Sequence, residues 1–257
     1  MHRFFVPSSW IQSNEVTIVG PQAHQIAHVL RMRPGDEVIV LDNSGWEIET
    51  RLIAVDRQAV HGEVVSRRLS SSEPKTKISL YQGVLKGNRF EFALQKGTEL
   101  GIVEFVPLIS DRCVISDLEG IENKRQRWES IVQEAAEQCR RGRKPALRPA
   151  TLFPPACELA LRRHRHAGGL SLILWEDETR TSLRNVLREA PPGYTGRYPP
   201  FAIHLLVGPE GGFTHQEVGM AQRYGWVSVG LGPRILRGET AGIVAAALIL
   251  YELGDMQ

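Results

Sequence analysis

The 257 residues, 42% hydrophobic and 23% charged, have the composition of an ordinary soluble globular protein, with room for one large domain or a small and a medium one. Thirty-one basic against 29 acidic residues leave a formal charge of +2, so global charge does not announce nucleic acid. Cys113, Cys139 and Cys157 are odd in number and in no CxxC spacing, no signal pattern opens the chain, and no apolar run reaches the ~20 residues of a membrane span; a cytosolic protein without disulfides or zinc is expected.

Residues 1 to about 70 read as short strands and turns with one helix. Pro21 to Leu30 is predicted helical, with Ile26, Val29 and Leu30 on one side. Strands follow at Glu37–Leu41, Trp46–Ile53 and Ala59–Val65, joined by Gly, Asp and Asn turns that suggest a small antiparallel barrel. Ser70-Ser71-Ser72-Glu73-Pro74 is polar, short and closed by proline, which makes it the best linker in the chain. Beyond it, strands at Ile78–Leu85, Val103–Leu108, Leu170–Trp175, Ala202–Val207 and Val227–Leu231 alternate with helices. Helices are predicted at Arg89–Leu100, stopped by Gly101, at Lys124–Arg141, after the Thr214/Glu217 capping box, and at Gly238–Leu253. That alternation means an α/β domain with a largely parallel sheet.

Several familiar site signatures are absent. Gly230-x-Gly232 lacks the third glycine of a dinucleotide fingerprint, and neither a P-loop nor a GxSxG elbow occurs. His24 and His28 stand four apart without the glutamate of a zinc protease, so they read as packing residues, and no metal site is expected. The cysteines show no catalytic context; at least two read as core, Cys139 most clearly. Basic clusters at Lys124–Arg148 and at Arg162-Arg163-His164-Arg165-His166 suit either phosphate contacts or a solvated polar face.

Two glycine-proline turns stand out. Leu206-Val207-Gly208-Pro209-Glu210-Gly211-Gly212-Phe213 and Val229-Gly230-Leu231-Gly232-Pro233-Arg234-Ile235-Leu236-Arg237-Gly238-Glu239-Thr240-Ala241 each follow an apolar run and carry an acid. At the ends of neighbouring strands they would form a rigid cleft lined by main-chain donors and acceptors, able to read the edge of an adenine.

This pair of segments, in this order at the carboxyl end, resembles the cofactor-binding region of the SPOUT superfamily of RNA methyltransferases, and within it the RsmE-type ribosomal RNA methyltransferases. Supporting stretches are His28-Val29-Leu30-Arg31-Met32, Gly35-Asp36, Gln95-Lys96-Gly97-Thr98-Glu99-Leu100-Gly101, Pro107 through Arg112, Arg127-Trp128 and Glu134-Ala135-Ala136-Glu137-Gln138-Cys139. Arg140 departs from the pattern, standing where the family usually has a small residue.

The resemblance implies a PUA-like RNA-binding barrel over residues 1–72 and a SPOUT methyltransferase domain over 73–257 with a deep trefoil knot. It implies a cytoplasmic homodimer that uses S-adenosylmethionine to methylate N3 of a decoding-region uridine in 16S ribosomal RNA of the small ribosomal subunit. Leu206, Val207, Gly208, Gly211 and Gly212 would form one wall of the cofactor site, and Val229, Leu231, Gly232, Ile235, Leu236 and Thr240 the other. Glu210 and Glu239 are candidate proton acceptors or orienters, or else helix caps; Arg237 and Arg112 are candidate stabilisers of uracil oxygens or phosphate, with pairing to a carboxylate the alternative for Arg237. Arg3, Arg31, Gln138, Arg141, Arg143 and Lys144 would contact RNA. The terminal helix would supply the dimer interface or pack on its own sheet. The turns alone leave open a ribose 2′-oxygen methyltransferase, a non-catalytic ribosomal-RNA-binding assembly factor and, more remotely, a metabolite enzyme without RNA.

Overall fold

The first seventy residues fold as strands β1 (His2–Phe5), β2 (Ile11–Gln12), β3 (Glu15–Val19), β4 (Glu37–Leu41), β5 (Trp46–Val55) and β6 (Ala59–Leu69), with a short helix α1 (Gly20–His24). The computed structural model describes residues 1–167, 169–189 and 202–256, apart from the side chains of 161–167. The basic knot at 162–166 therefore lies outside the described side chains. The strands form one sheet in the order β1-β4-β5-β6-β3-β2. It is antiparallel except that β1 runs parallel to β4, which corrects the all-antiparallel expectation. Phe4, Ile18, Val38, Val40, Ile48, Leu52 and Val60 fill the core on one face.

After α1 the turn widens over Gln25–Val29, where Leu30 N–H reaches back five residues to the Gln25 carbonyl at 2.9 Å. The widening rotates Val29 off the apolar face: it is 65% exposed while Ile26 is buried. His24 and His28 are also exposed and stack on each other at 4.7 Å, rather than packing into the core.

Two compact units divide the chain: Met1–Glu73 with Gln133–Lys144, and Pro74–Val132 with Pro145–Gln257. In the first, Ala136 joins Phe5, Ile39 and Leu41 on the other face of the sheet. The stretch read as a linker is tied down within it. Ser70 Oγ donates to Glu47, Ser72 Oγ to the Arg140 carbonyl, and Glu73 accepts from Arg141 Nη2 at 2.8 Å.

The second unit carries β7 (Lys77–Gly83), α2 (Arg89–Leu100), β8 (Glu104–Ile109), α3 (Leu118–Glu122), the start of α4 (Arg125–Gln138), β9 (Ala146–Leu147), β10 (Thr151–Leu152), α5 (Phe153–Ala167), β11 (Gly169–Leu174), α6 (Leu183–Arg188), β12 (Ala202–Val207), α7 (His215–Arg223), β13 (Val227–Val229) and α8 (Gly238–Glu252). The sheet order is β10-β8-β7-β12-β11-β13, with β9 beside β8, and every pair is parallel. Alternation along the strands splits the core between the two faces. Leu80, Leu172, Leu205 and Val207 pack with Phe90, Trp128, Ala245 and Ile249 on one side; Tyr81, Ile173 and Leu206 pack with Phe153, Cys157, Phe213 and Trp226 on the other. Cys157, not Cys139, is the fully buried cysteine; burial, aided by the nearby Glu217 carboxylate, pushes its thiol up to about 12. Among the described residues no helix is long and apolar enough to cross a membrane.

Candidate active site

In a parallel sheet the strand ends gather on one edge, and ligands bind there. β12 leaves the sheet into Gly208-Pro209-Glu210-Gly211-Gly212, a turn closed by the Gly212 N–H on the Pro209 carbonyl at 3.0 Å. Gly212 has φ +66°, and a Cβ there would lie 2.2 Å from Glu176 Oε1. A Cβ on Gly83, at the end of β7, would lie 2.4 Å from Pro209 N, and one on Gly238 would lie 2.9 Å from the Gly208 carbonyl oxygen. Three chain segments thus meet through bare backbone at this corner.

The second turn leaves β13. Gly230 N–H donates to the Thr181 carbonyl at 2.9 Å, and the Gly230 carbonyl accepts from Leu183 N–H at 3.3 Å. A Cβ on Gly230 would stand 2.3 Å from the Glu178 carbonyl oxygen. The turn then runs through Gly232, at φ +108°, to Arg237, whose carbonyl accepts from Thr240 and Ala241 and opens α8.

The two turns do not stand on neighbouring strands, as the sequence suggested, because β11 lies between β12 and β13. The loop after β11 therefore adds a third wall, from Trp175 to Ser182. Glu178 shapes it by accepting from Arg180 N–H at 2.9 Å and Thr181 N–H at 3.0 Å. Burial pushes its carboxyl up, but these two amides, the Ser228 hydroxyl and the Arg180 charge together hold it below the ordinary value.

A fourth wall comes from the residues after β7. Glu210 Oε1 accepts from Lys86 N–H at 2.9 Å and from Arg89 Nη1 at 3.3 Å. Arg89 Nε also stands 3.9 Å from Glu239 Oε1, so one guanidinium bridges the acids of both glycine turns. Glu239 is 8% exposed, and its Oε2 is covered and has no hydrogen-bond partner.

These walls enclose a cavity of about 920 Å³, inside the ordinary range for small-ligand sites. Val207, Gly208, Gly212, Val229, Leu231, Gly232, Ile235 and Leu236 line it, together with Glu210, Arg237 and Glu239. Leu206 does not: its side chain points into the core on the opposite face of the sheet, so only its backbone is near. Gly211 makes room for Arg112 instead, since a Cβ there would lie 2.9 Å from Arg112 Cβ. Thr240 lines an adjoining, open cavity of about 900 Å³. Arg112 lines neither; its Nη1 donates to the Gly211 carbonyl at 2.7 Å, which makes it a buttress of the first turn. Arg237 is exposed and has no ion pair among the described residues.

The basic residues expected on RNA divide sharply. Arg3 is half-buried with its side chain held against Glu47 at 2.5 Å, and Arg141 is 3% exposed and paired with Glu73. Burial pushes the Glu47 carboxyl up, but Arg3, Ser70 and Arg68 together hold it below the ordinary value. Arg31, Gln138 and Arg143 are exposed, and Lys144 is half-buried with its ammonium over the Phe5 ring. Arg140 is exposed at φ +66°, a left-handed position that favours glycine and gives a physical reason for a small residue there.

Arg89, Glu176 and Glu178 line this cavity, and Lys86 the adjoining one, without having been singled out from sequence. Lys86-Gly87-Asn88-Arg89, a cationic turn straight after an apolar strand, was a legible signal. Trp175-Glu176-Asp177-Glu178 has the composition of any surface loop.

The chain matches two family descriptions, an RNA methyltransferase domain over residues 72–250 and an RNA methyltransferase PUA domain over residues 20–65. It is 30% identical to a ribosomal RNA small subunit methyltransferase E of Bacillus subtilis, over 98% of this chain and 97% of that protein. The crystal structure of a ribosomal RNA small subunit methyltransferase E from Neisseria gonorrhoeae, bound to S-adenosyl methionine, superposes with a TM-score of 0.79 at 30% identity, covering 98% of this chain and 97% of that one. A Legionella pneumophila methyltransferase in complex with the bound cofactor SAM superposes at 0.81 with 29% identity, covering 97% and 96%.

Proposed function

Because this chain belongs to the ribosomal RNA small subunit methyltransferase E family, we propose that it transfers a methyl group from S-adenosylmethionine to N3 of a decoding-region uridine in 16S ribosomal RNA. The observation that carries the reading is the cavity at the strand ends, walled by two glycine turns in a chain that matches the family along its whole length.

The residues present fit the donor. Main-chain groups of both turns suit an adenine edge, and Glu176, Glu178, Glu210 and Glu239 oppose Arg89, Arg234 and Arg237 around the lining, which suits a cationic ligand. When bound, S-adenosylmethionine supplies a methyl already activated on a sulfonium. What remains for the protein is to orient the uracil, exclude water and handle the N3 proton. Because N3 lies on the pairing edge, the uridine is taken unpaired or flipped. Arg237, exposed at the cavity wall without a carboxylate partner among the described residues, is free to face a uracil oxygen or phosphate.

We assign residues 1–72 to RNA binding and 73–257 to methyl transfer, and we read the backbone crossings at Gly83, Gly208 and Gly238 as the threading of a trefoil knot. Phe92, Leu248 and Tyr251 are exposed on α2 and α8, which pack together, and a second copy of the chain would cover them in a homodimer. The three free cysteines agree with a reducing cytoplasm. Methyl transfer to small subunits from cells lacking the native activity, followed by mass mapping, tests the function: methyl at uridine N3 is expected, and methyl on a ribose or a cytosine would overturn it.

A further inference from the structure

The two cavities share one wall, made of Arg89, Ile235, Leu236, Arg237 and Glu239. Resting on the methyltransferase reading above, we propose that the second cavity holds the acceptor nucleotide and that Glu239, on the common wall, takes the N3 proton.

Charge separates the two cavities. The first has four acids against three bases, whereas the second sets Lys86, Arg89 and Arg237 against Glu239 alone. A cationic donor belongs in the first and an anionic nucleotide in the second. Their contact is what in-line transfer requires, since donor and acceptor atoms must come within about 3 Å of each other.

The two candidate acids then part company. Glu210 Oε1 already accepts from the Lys86 amide and Arg89, and Glu210 lines only the donor cavity. Glu239 lines both; its Oε1 faces Arg89 at 3.9 Å, and its Oε2 is desolvated with no donor. A buried acceptor left without a partner is costly in a native fold. The terminal torsion of a glutamate is soft, so this oxygen can swing to an N–H presented from the second cavity. The uracil N3–H is such a donor. In the step, the N3–H bond pair remains on N3 and becomes the new N–CH3 bond, the C–S pair remains on sulfur, and the proton passes to Glu239 Oε2 and then to water.

Two variants test this with assembled small subunits and full-length protein. Glu239→Gln is expected to lower kcat about 100-fold, in the range of lost general-base catalysis, while Kd for S-adenosylmethionine by calorimetry changes less than about threefold. Its rate should recover with rising pH, and with 5-fluorouridine at the target, whose N3 proton leaves more easily; a merely structural role would move neither. Lys86→Ala is expected to weaken binding of a target-sequence oligonucleotide, measured without donor, and to leave donor affinity unchanged. Full activity in Glu239→Gln, equal loss of donor affinity, or absence of recovery overturns the proton assignment; oligonucleotide binding unaffected by Lys86→Ala overturns the cavity assignment. Failure of the wild-type protein to methylate uridine N3 would instead remove the underlying functional reading.

Discussion

Arg112 lies across Gly211: its guanidinium donates to the Gly211 carbonyl at 2.7 Å, and its Cβ fills the place where a side chain on Gly211 would begin. The residue therefore acts on the first glycine turn from behind and lines neither cavity. Arg112→Ala should weaken S-adenosylmethionine binding about fivefold, since an exposed charged hydrogen bond is worth ~1 kcal/mol. At saturating donor, kcat should stay within about twofold. A large drop in kcat with donor affinity intact would return Arg112 to the substrate.

Gly212 and Gly83 are both required as glycine, for different reasons. At Gly212 the obstacle to a Cβ is the tip of Glu176, which can swing away, so the +66° φ decides the cost. Gly212→Ala should therefore give a folded protein, with ~1–2 kcal/mol of backbone strain in the turn and donor affinity reduced about tenfold. At Gly83 the obstacles are Pro209 N at 2.4 Å and Gly208 C at 2.7 Å, main-chain atoms that cannot step aside. Gly83→Ala should lower Tm much more than Gly212→Ala, or abolish soluble expression. Equal Tm values for the two would mean the β7–β12 crossing is looser than described.

The basic residues of the first unit make a prediction about RNA. Arg31 and Arg143 are exposed, whereas Arg141 is spent on Glu73. Replacing Arg31 or Arg143 with Ala should reduce the slope of log affinity against log salt by up to about 1 each, with Tm unchanged for Arg31 and slightly lowered for Arg143, whose guanidinium also donates to the Ser44 carbonyl. Arg141→Ala should instead destabilise the fold by on the order of 1–3 kcal/mol, because it removes a buried side chain and leaves the half-buried Glu73 carboxylate without its guanidinium. A salt slope altered by Arg141→Ala at constant Tm would restore that residue to the RNA surface.

These cases mark where the sequence was readable. α2 at Arg89–Leu100 with its Gly101 stop, β12 at Ala202–Val207 and the Thr214/Glu217 capping box all follow from local rules, and each appears as expected. The glycine turns were legible because glycine paired with proline is an unusual local composition. What escaped depends on which distant residues meet. Nothing in Gly169–Leu174 says that it inserts between β12 and β13, so the wall after it was missed. A charge pattern does not say which arginine finds a carboxylate, so Arg3 and Arg141 looked like Arg31 and Arg143. Arg89 went unnoticed because its meaning lies in joining Glu210 to Glu239, more than a hundred residues away.

Glu137 offers a test of pH dependence. Its carboxylate accepts from Phe5 N–H at 2.9 Å and from Gln133 Nε2 at 3.1 Å. Burial pushes its pKa above the ordinary carboxylate value, more than the Phe5 amide, Gln133 and Lys144 pull it down; Glu134 adds a smaller push upward. A group whose folded pKa is raised binds its proton more tightly in the native state. It therefore contributes stability that is complete below the unfolded value and is lost as pH rises through the folded one. Glu137→Gln keeps an oxygen for the Phe5 amide and removes the charge. The variant should match wild type at acidic pH and gain on it as pH rises to neutrality, so that the difference in Tm widens across that interval. Thermal melts of both proteins from mildly acidic to neutral pH check this. A variant that loses ground as pH rises would mean that the charged carboxylate, held by Phe5 and Lys144, is the form the native state prefers.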